Sequence, residues 1–124
     1  MTIKTKKKPA QLPGTIETKV EYADKDSGKS HSKEAVREVD PPRHPGDHQV
    51  MGEIVFGKEA KMSRKFQSTG ITVMARIPWP FTPGDKEAIA REYNDGVTFI
   101  AGLVGDVVAE EALELPDVIA KLLE

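Results

Sequence analysis

Residues 71–108 read ITVMARIPWPFTPGDKEAIAREYNDGVTFIAGLVGDVV. The first seven alternate, with Ile71, Val73, Ala75 and Ile77 facing one way and Thr72, Met74 and Arg76 the other, the period of a half-buried strand. Pro78-Trp79-Pro80-Phe81 is then expected to end strand pairing, because proline offers no ladder donor. Trp79 and Phe81 become the plug between sheet and helix. Thr82-Pro83-Gly84-Asp85 reads as a helix start, with a hydroxyl at the N-cap, proline first in the helix and a carboxylate three residues on. Apolar residues recur at Ile89, Tyr93, Val97, Ile100, Leu103, Val104, Val107 and Val108, one buried stripe of an amphipathic helix.

Gly96, Gly102 and Gly105 interrupt that helix, each costing about 1 kcal/mol against alanine. Close packing against them is the expected reason they are tolerated. Run to Leu115, the helix is roughly 48 Å long at 1.5 Å per residue, whereas strands of ordinary length span only ~17–20 Å. The stripe therefore outruns the sheet. Either the helix breaks near Gly102 or Gly105, or a second chain covers the surplus at Val97, Ile100, Val104 and Val108. Leu115-Pro116-Asp117 is read as a break before a last apolar turn at Val118, Ile119, Leu122 and Leu123.

Upstream, residues 49–56 read as a strand, Gly57-Lys58-Glu59 as a turn or bulge, and 62–77 as a second, longer extended run with a bulge at Gly70. Ile16, Thr18, Val20 and Tyr22 alternate with polar neighbours, so 15–22 is either an edge strand or a strand lent to a partner. Residues 23–48 are rich in Asp, Lys, Ser, Gly and Pro, and 2–13 form a lysine-bearing tail without periodicity. The expected organisation is a flexible, disordered arm over 1–48 and a β-hairpin-plus-helix domain over 49–124. The fold class is α+β: two to three antiparallel strands packed on one long C-terminal helix.

Composition narrows the function. The 124 residues include no cysteine, which removes disulfides, thiolate metal sites and cysteine nucleophiles together. No run approaches the ~18 apolar residues of a membrane span, and the N-terminal lysines precede no apolar segment, so a cytoplasmic protein is expected. The net charge of −2 hides a segregation. Residues 56–79 carry five basic side chains against Glu59 alone, and 83–124 carry three basic against ten acidic. Two electrical ends point to binding.

His44 and His48 are four apart, but Pro45 and Gly46 between them forbid the helix that would converge two imidazoles, so no metal is expected. The carboxylates of the helix are spread along it, and no phosphate-cradling glycine loop precedes it, so neither an enzyme nor a cofactor is expected. Lys58, Lys61, Arg64 and Lys65, with Phe66 among them and Arg76 beyond, combine phosphate contacts with a ring for base stacking. They are the contact candidates for single-stranded nucleic acid. The alternative is an oligomeric assembly or adaptor protein that binds another protein through helix and arm.

Ser63-Arg64-Lys65-Phe66-Gln67-Ser68, the alternating strand to Ile77-Pro78, and the acidic helix after Pro83-Gly84-Asp85 resemble small uncharacterised proteins of tailed bacteriophages. The resemblance covers less than half the chain. It implies a virus-encoded protein of the host cytoplasm acting near DNA metabolism, and it assigns no functional residue.

Overall fold

A computed structural model describes residues 13–64 and 67–122, with side chains described over 13–63 and 67–116. The described elements are β1 (Gly14–Asp24), β2 (Lys29–Val39), β3 (Val50–Arg64), β4 (Gln67–Phe81) and α1 (Lys86–Leu122). They make an α+β fold, with one antiparallel sheet in the order β2-β1-β4-β3 and one long C-terminal helix against it. The expected two to three strands are four. Two hairpins lie side by side, and their inner strands β1 and β4 pair from Thr15↔Arg76 to Asp24↔Gln67.

The alternation of β4 is as read: Ile71, Val73, Ala75, Ile77 and Trp79 are all buried on the side that α1 covers. Each of the isoleucine and valine side chains among them, taken fully out of water, contributes roughly 1.5–3 kcal/mol. Opposite them lie Ile16 and Val20 on β1 and Ile54 on β3, completing the sheet half of the core. Strand 15–22 is thus an inner strand, extended to Gly14–Asp24, and not an edge. Much of the stretch expected to be a flexible arm supplies β1 and β2. The lysine tail lies outside the described residues as far as residue 12.

Three punctuation signals mean something else in the fold. Gly57-Lys58-Glu59 does not turn; β3 passes through it, and pairing with β4 continues to Arg64↔Gln67. Pro78 and Pro80 do not end the ladder, which runs to Val50↔Phe81. They lie past Arg76, the last β4 residue that β1 pairs with, so no ladder donor is required of them on that flank. Thr82 is not the N-cap. Pro83 and Gly84 sit in a turn with Gly84 at φ 83°, a left-handed value that cannot enter a helix, and the Asp85 amide bonds back to the Thr82 carbonyl at 3.4 Å. Asp85 caps instead: its Oδ1 accepts from the Ala88 amide at 3.0 Å.

The helix is unbroken through Gly102, Gly105 and Pro116, 37 residues or roughly 55 Å. Its buried row is Ala88, Gly96, Ile100, Val104, Val107 and Leu115. Ile89 and Tyr93, expected in the stripe, are exposed. The row shifts because the closest approach to the sheet runs over Gly96. A Cβ there would run into Ile54 Cδ1 and stand 3.0 Å from the Trp79 ring. Gly102 and Gly105 face open space, so close packing does not explain them. From Gly96 above Ile54 and Trp79, the helix reaches Glu110 beside Arg37 of β2, at 3.8 Å. It crosses the sheet obliquely from β3 toward β2.

Residues 40–49 carry the chain from one sheet edge to the other, three strand spacings or about 14 Å. The crossing is pinned at the helix. Arg43 stacks 4.9 Å from the Trp79 ring centre and lies 3.9 Å from Asp95. Glu92 gathers three donors: the Thr82 amide at 2.8 Å, the Thr82 hydroxyl at 2.6 Å and the Gln49 side-chain amide at 2.7 Å.

Candidate functional site

Directly opposed residues in an antiparallel ladder share a face, so the register assigns every described strand side chain to the helix side or the open side. The helix side of the sheet bears Lys29, Lys33, Arg37 and Lys58 against Asp24. The open side bears Glu17, Glu21, Glu34, Glu38, Glu53 and Glu59 against Lys19, Lys61 and Arg76. The cations thus gather on the side occupied by the acidic helix, and the open side is acidic.

This separates the residues expected to bind nucleic acid. Lys58 pairs with Val73 and lies on the helix side; Lys61 pairs with Gly70 and lies on the open side. Arg76 shares the open side with Lys61 but stands six residues farther along β4, about 20 Å away. Its guanidinium is 3.9 Å from Glu53, and Lys61 is 3.8 Å from Glu59. Those pairs are exposed and hold their partners by no more than about 1 kcal/mol. Arg64 is paired with Gln67, its side chain lies outside the described residues, and so do Lys65 and Phe66.

Where the two hairpins end side by side, a trough of about 550 Å³ opens on the open face of β4. Gly70 and Ser68 form its floor, since neither fills the space between neighbouring strands. Glu21 and Lys25 line one side, Lys61 and Ser63 the other.

The residues expected at an oligomer interface are spent within the chain. Ile100 and Val104 are fully buried under the sheet, and Val97 and Val108 are half-buried against the same core. The surplus stripe is therefore not a free surface; the oblique course of α1 uses more of it than a sheet of ordinary dimensions would.

What sequence reasoning missed is β2. Among the described residues it pairs only with β1, through 11 residues, and nearly all of its side chains are exposed. Its charges are sorted by face: Lys29, Lys33 and Arg37 on the helix side, Glu34 and Glu38 on the other. The signal was present as alternation of charge in KSHSKEAVREV, where a hydrophobic period is absent. His31 faces Tyr22 across the β1–β2 ladder, and among the described residues neither Tyr22 Oη nor His31 Nε2 has a hydrogen-bond partner.

Among the described residues, no three His, Asp or Glu side chains converge on one point, and no helix is long and apolar enough to cross a membrane. No protein-family model, curated protein or solved structure matches the chain.

Proposed function

We propose that the chain is a non-enzymatic binding protein of the assembly or adaptor kind, which takes an extended strand of another protein onto the outer edge of β2. The observation that carries this reading is β2 itself: a long, exposed edge strand whose backbone, among the described residues, is paired on one side only. Such an edge is a template for strand addition, and proteins that do not use it cover it, shorten it, interrupt it or charge it; on β2 the cations of the helix side are matched by carboxylates on the other, so the charge selects among strands instead of repelling every strand. The sorted charges supply specificity. A partner strand with carboxylates toward Lys29, Lys33 and Arg37 and cations toward Glu34 and Glu38 is favoured; one of opposite phase is repelled.

A second copy of β2 is disfavoured in the three registers that overlap most of the strand. In a two-fold antiparallel pair, residues of like face meet. Centring that pair on Lys33, Glu34 or Ala35 opposes Lys33 to itself, Glu34 to itself, or Lys33 to Arg37.

The test is a titration of two labelled synthetic strands of one composition and opposite charge phase, followed by fluorescence anisotropy. Binding of the complementary phase, lost in K33E/R37E, is the expected result. Equal binding of both phases, or of neither, defeats the reading.

Single-stranded nucleic acid remains a second reading, favoured by one observation: Lys25 and Lys61 rim a trough whose lining residues include a single carboxylate, Glu21. A labelled oligonucleotide titrated at two salt concentrations tests it. Affinity that falls steeply with salt and is lost in K25E/K61E supports it; absence of binding at low salt removes it.

A further inference from the structure

The opposite edge of the sheet is β3, 15 residues that among the described residues pair only with β4. Its charge pattern differs from that of β2 in a way that matters for self-association. We propose that the outer edge of β3 pairs with the β3 of a second copy, antiparallel about a two-fold axis through Gly57, joining two four-stranded sheets into one.

That register is the one in which the whole of β3 overlaps. It sets Glu53 opposite the partner copy's Lys61, and by symmetry the reverse, on the open side. It opposes no like charges: Val55 meets Glu59, Phe56 meets Lys58, and Gly57 meets itself. The neighbouring registers fail. Centring on Phe56 opposes Glu53 to Glu59, and centring on Lys58 opposes that lysine to itself. Centring on Ala60 opposes Glu59 to Lys61 but overlaps only the second part of the strand.

Two further features suit the pairing. Val50, Val55 and Met62, all on β3, are among the exposed large hydrophobic residues of the chain. Met62 would meet Gly52, over which the Phe81 ring lies, and so would be set against that ring. The in-chain neighbours of the proposed pairs, Arg76 for Glu53 and Glu59 for Lys61, are exposed contacts of 3.9 and 3.8 Å that leave both side chains free to reach across.

This goes beyond strand addition at β2. The two are separable, because the charge changes that test it lie on β3 alone and the peptide titration reads β2 alone. Sedimentation velocity over a range of concentrations is the measurement. The wild type is expected at twice the 13.6 kDa chain mass. E53K or K61E alone replaces two attractive contacts per dimer by two repulsive ones and weakens association by roughly tenfold or more. Mixing the two single variants restores both contacts and therefore the dimer, which a merely misfolded variant would not do. The double variant E53K/K61E also dimerises, whereas E59K/K61E does not. A monomeric wild type at several hundred micromolar overturns the proposal, as does a mixture of E53K and K61E that stays monomeric. Rescue of K61E by E59K in place of E53K overturns the Gly57 register.

Discussion

Gly96→Ala is the sharpest probe of the helix–sheet contact. In a helix interior, alanine is favoured over glycine by about 1 kcal/mol. At Gly96 that gain meets an obstacle, since the new methyl would run into Ile54 Cδ1 and lie 3.0 Å from two ring atoms of Trp79. Ile54 is 4% exposed and Trp79 1%, so neither side chain can swing into solvent to make room. Overpacking a core in this way costs about 1–3 kcal/mol. The net expectation is a loss of up to ~2 kcal/mol for G96A after the propensity gain is credited. At Gly102 and Gly105 an added methyl would meet nothing within 4 Å, so G102A and G105A should each gain up to ~1 kcal/mol. Urea unfolding followed by the fluorescence of the single tryptophan gives all three values on one reporter. If G96A proves as stable as G102A, the helix does not rest on Ile54 and Trp79 as described.

Other outcomes follow from single contacts. Asp85→Ala removes the cap on the Ala88 amide and should cost about 0.5–2 kcal/mol by the same assay; unchanged stability would show that Asp85 does not cap the helix. The Glu92 carboxyl is held below its ordinary value by the Thr82 hydroxyl first, then by the Thr82 amide, the Gln49 amide and Arg91, against the opposing effect of burial. A lowered folded-state value means a contribution that is complete above the ordinary carboxylate range and lost as pH falls through and below it. Stability measured from neutral pH into acid should therefore decline less steeply in E92Q than in the wild type; identical slopes would show that Glu92 is not coupled to folding. Tyr22→Phe removes a buried hydroxyl that has no partner among the described residues, so it should be neutral or stabilising in thermal unfolding, and a loss above about 1 kcal/mol would point to a bond at Oη.

The parts of this fold that bury apolar surface were legible in the sequence. β4 and β1 show their inner faces as strict alternation, Ile71 to Ile77 and Ile16 to Tyr22, because one side of each lies under a helix or the core. β2 shows no such period because an exposed edge strand has no apolar side to display, and its residues read as loop. The charged second half of β3 suffered the same fate: Gly57-Lys58-Glu59 has turn composition, but it is the pairing with β4 that keeps it extended. The helix stripe was misplaced at its start because hydrophobic size was used to find the buried row. Small residues, Ala88 and Gly96, mark the line of closest approach, while the larger Ile89 and Tyr93 stay outside.

The basic hairpin illustrates a different gap. Lys58 and Lys61 are three apart, which on a strand sends them to opposite faces, and that consequence follows only once the segment is known to be a strand and not a turn. Summed charge along the sequence suggested one cationic surface. The fold divides it, and leaves the sorted charges of β2 as the more coherent pattern.

Amide hydrogen exchange on β2, with and without the charge-complementary synthetic strand, tests strand addition most directly. The account predicts that saturating strand slows exchange at alternate amides along Lys29–Val39, those pointing away from β1, while β3 and α1 are unchanged. Protection that appears elsewhere on the chain, or β2 amides that exchange at the same rate in the presence of bound strand, would contradict it.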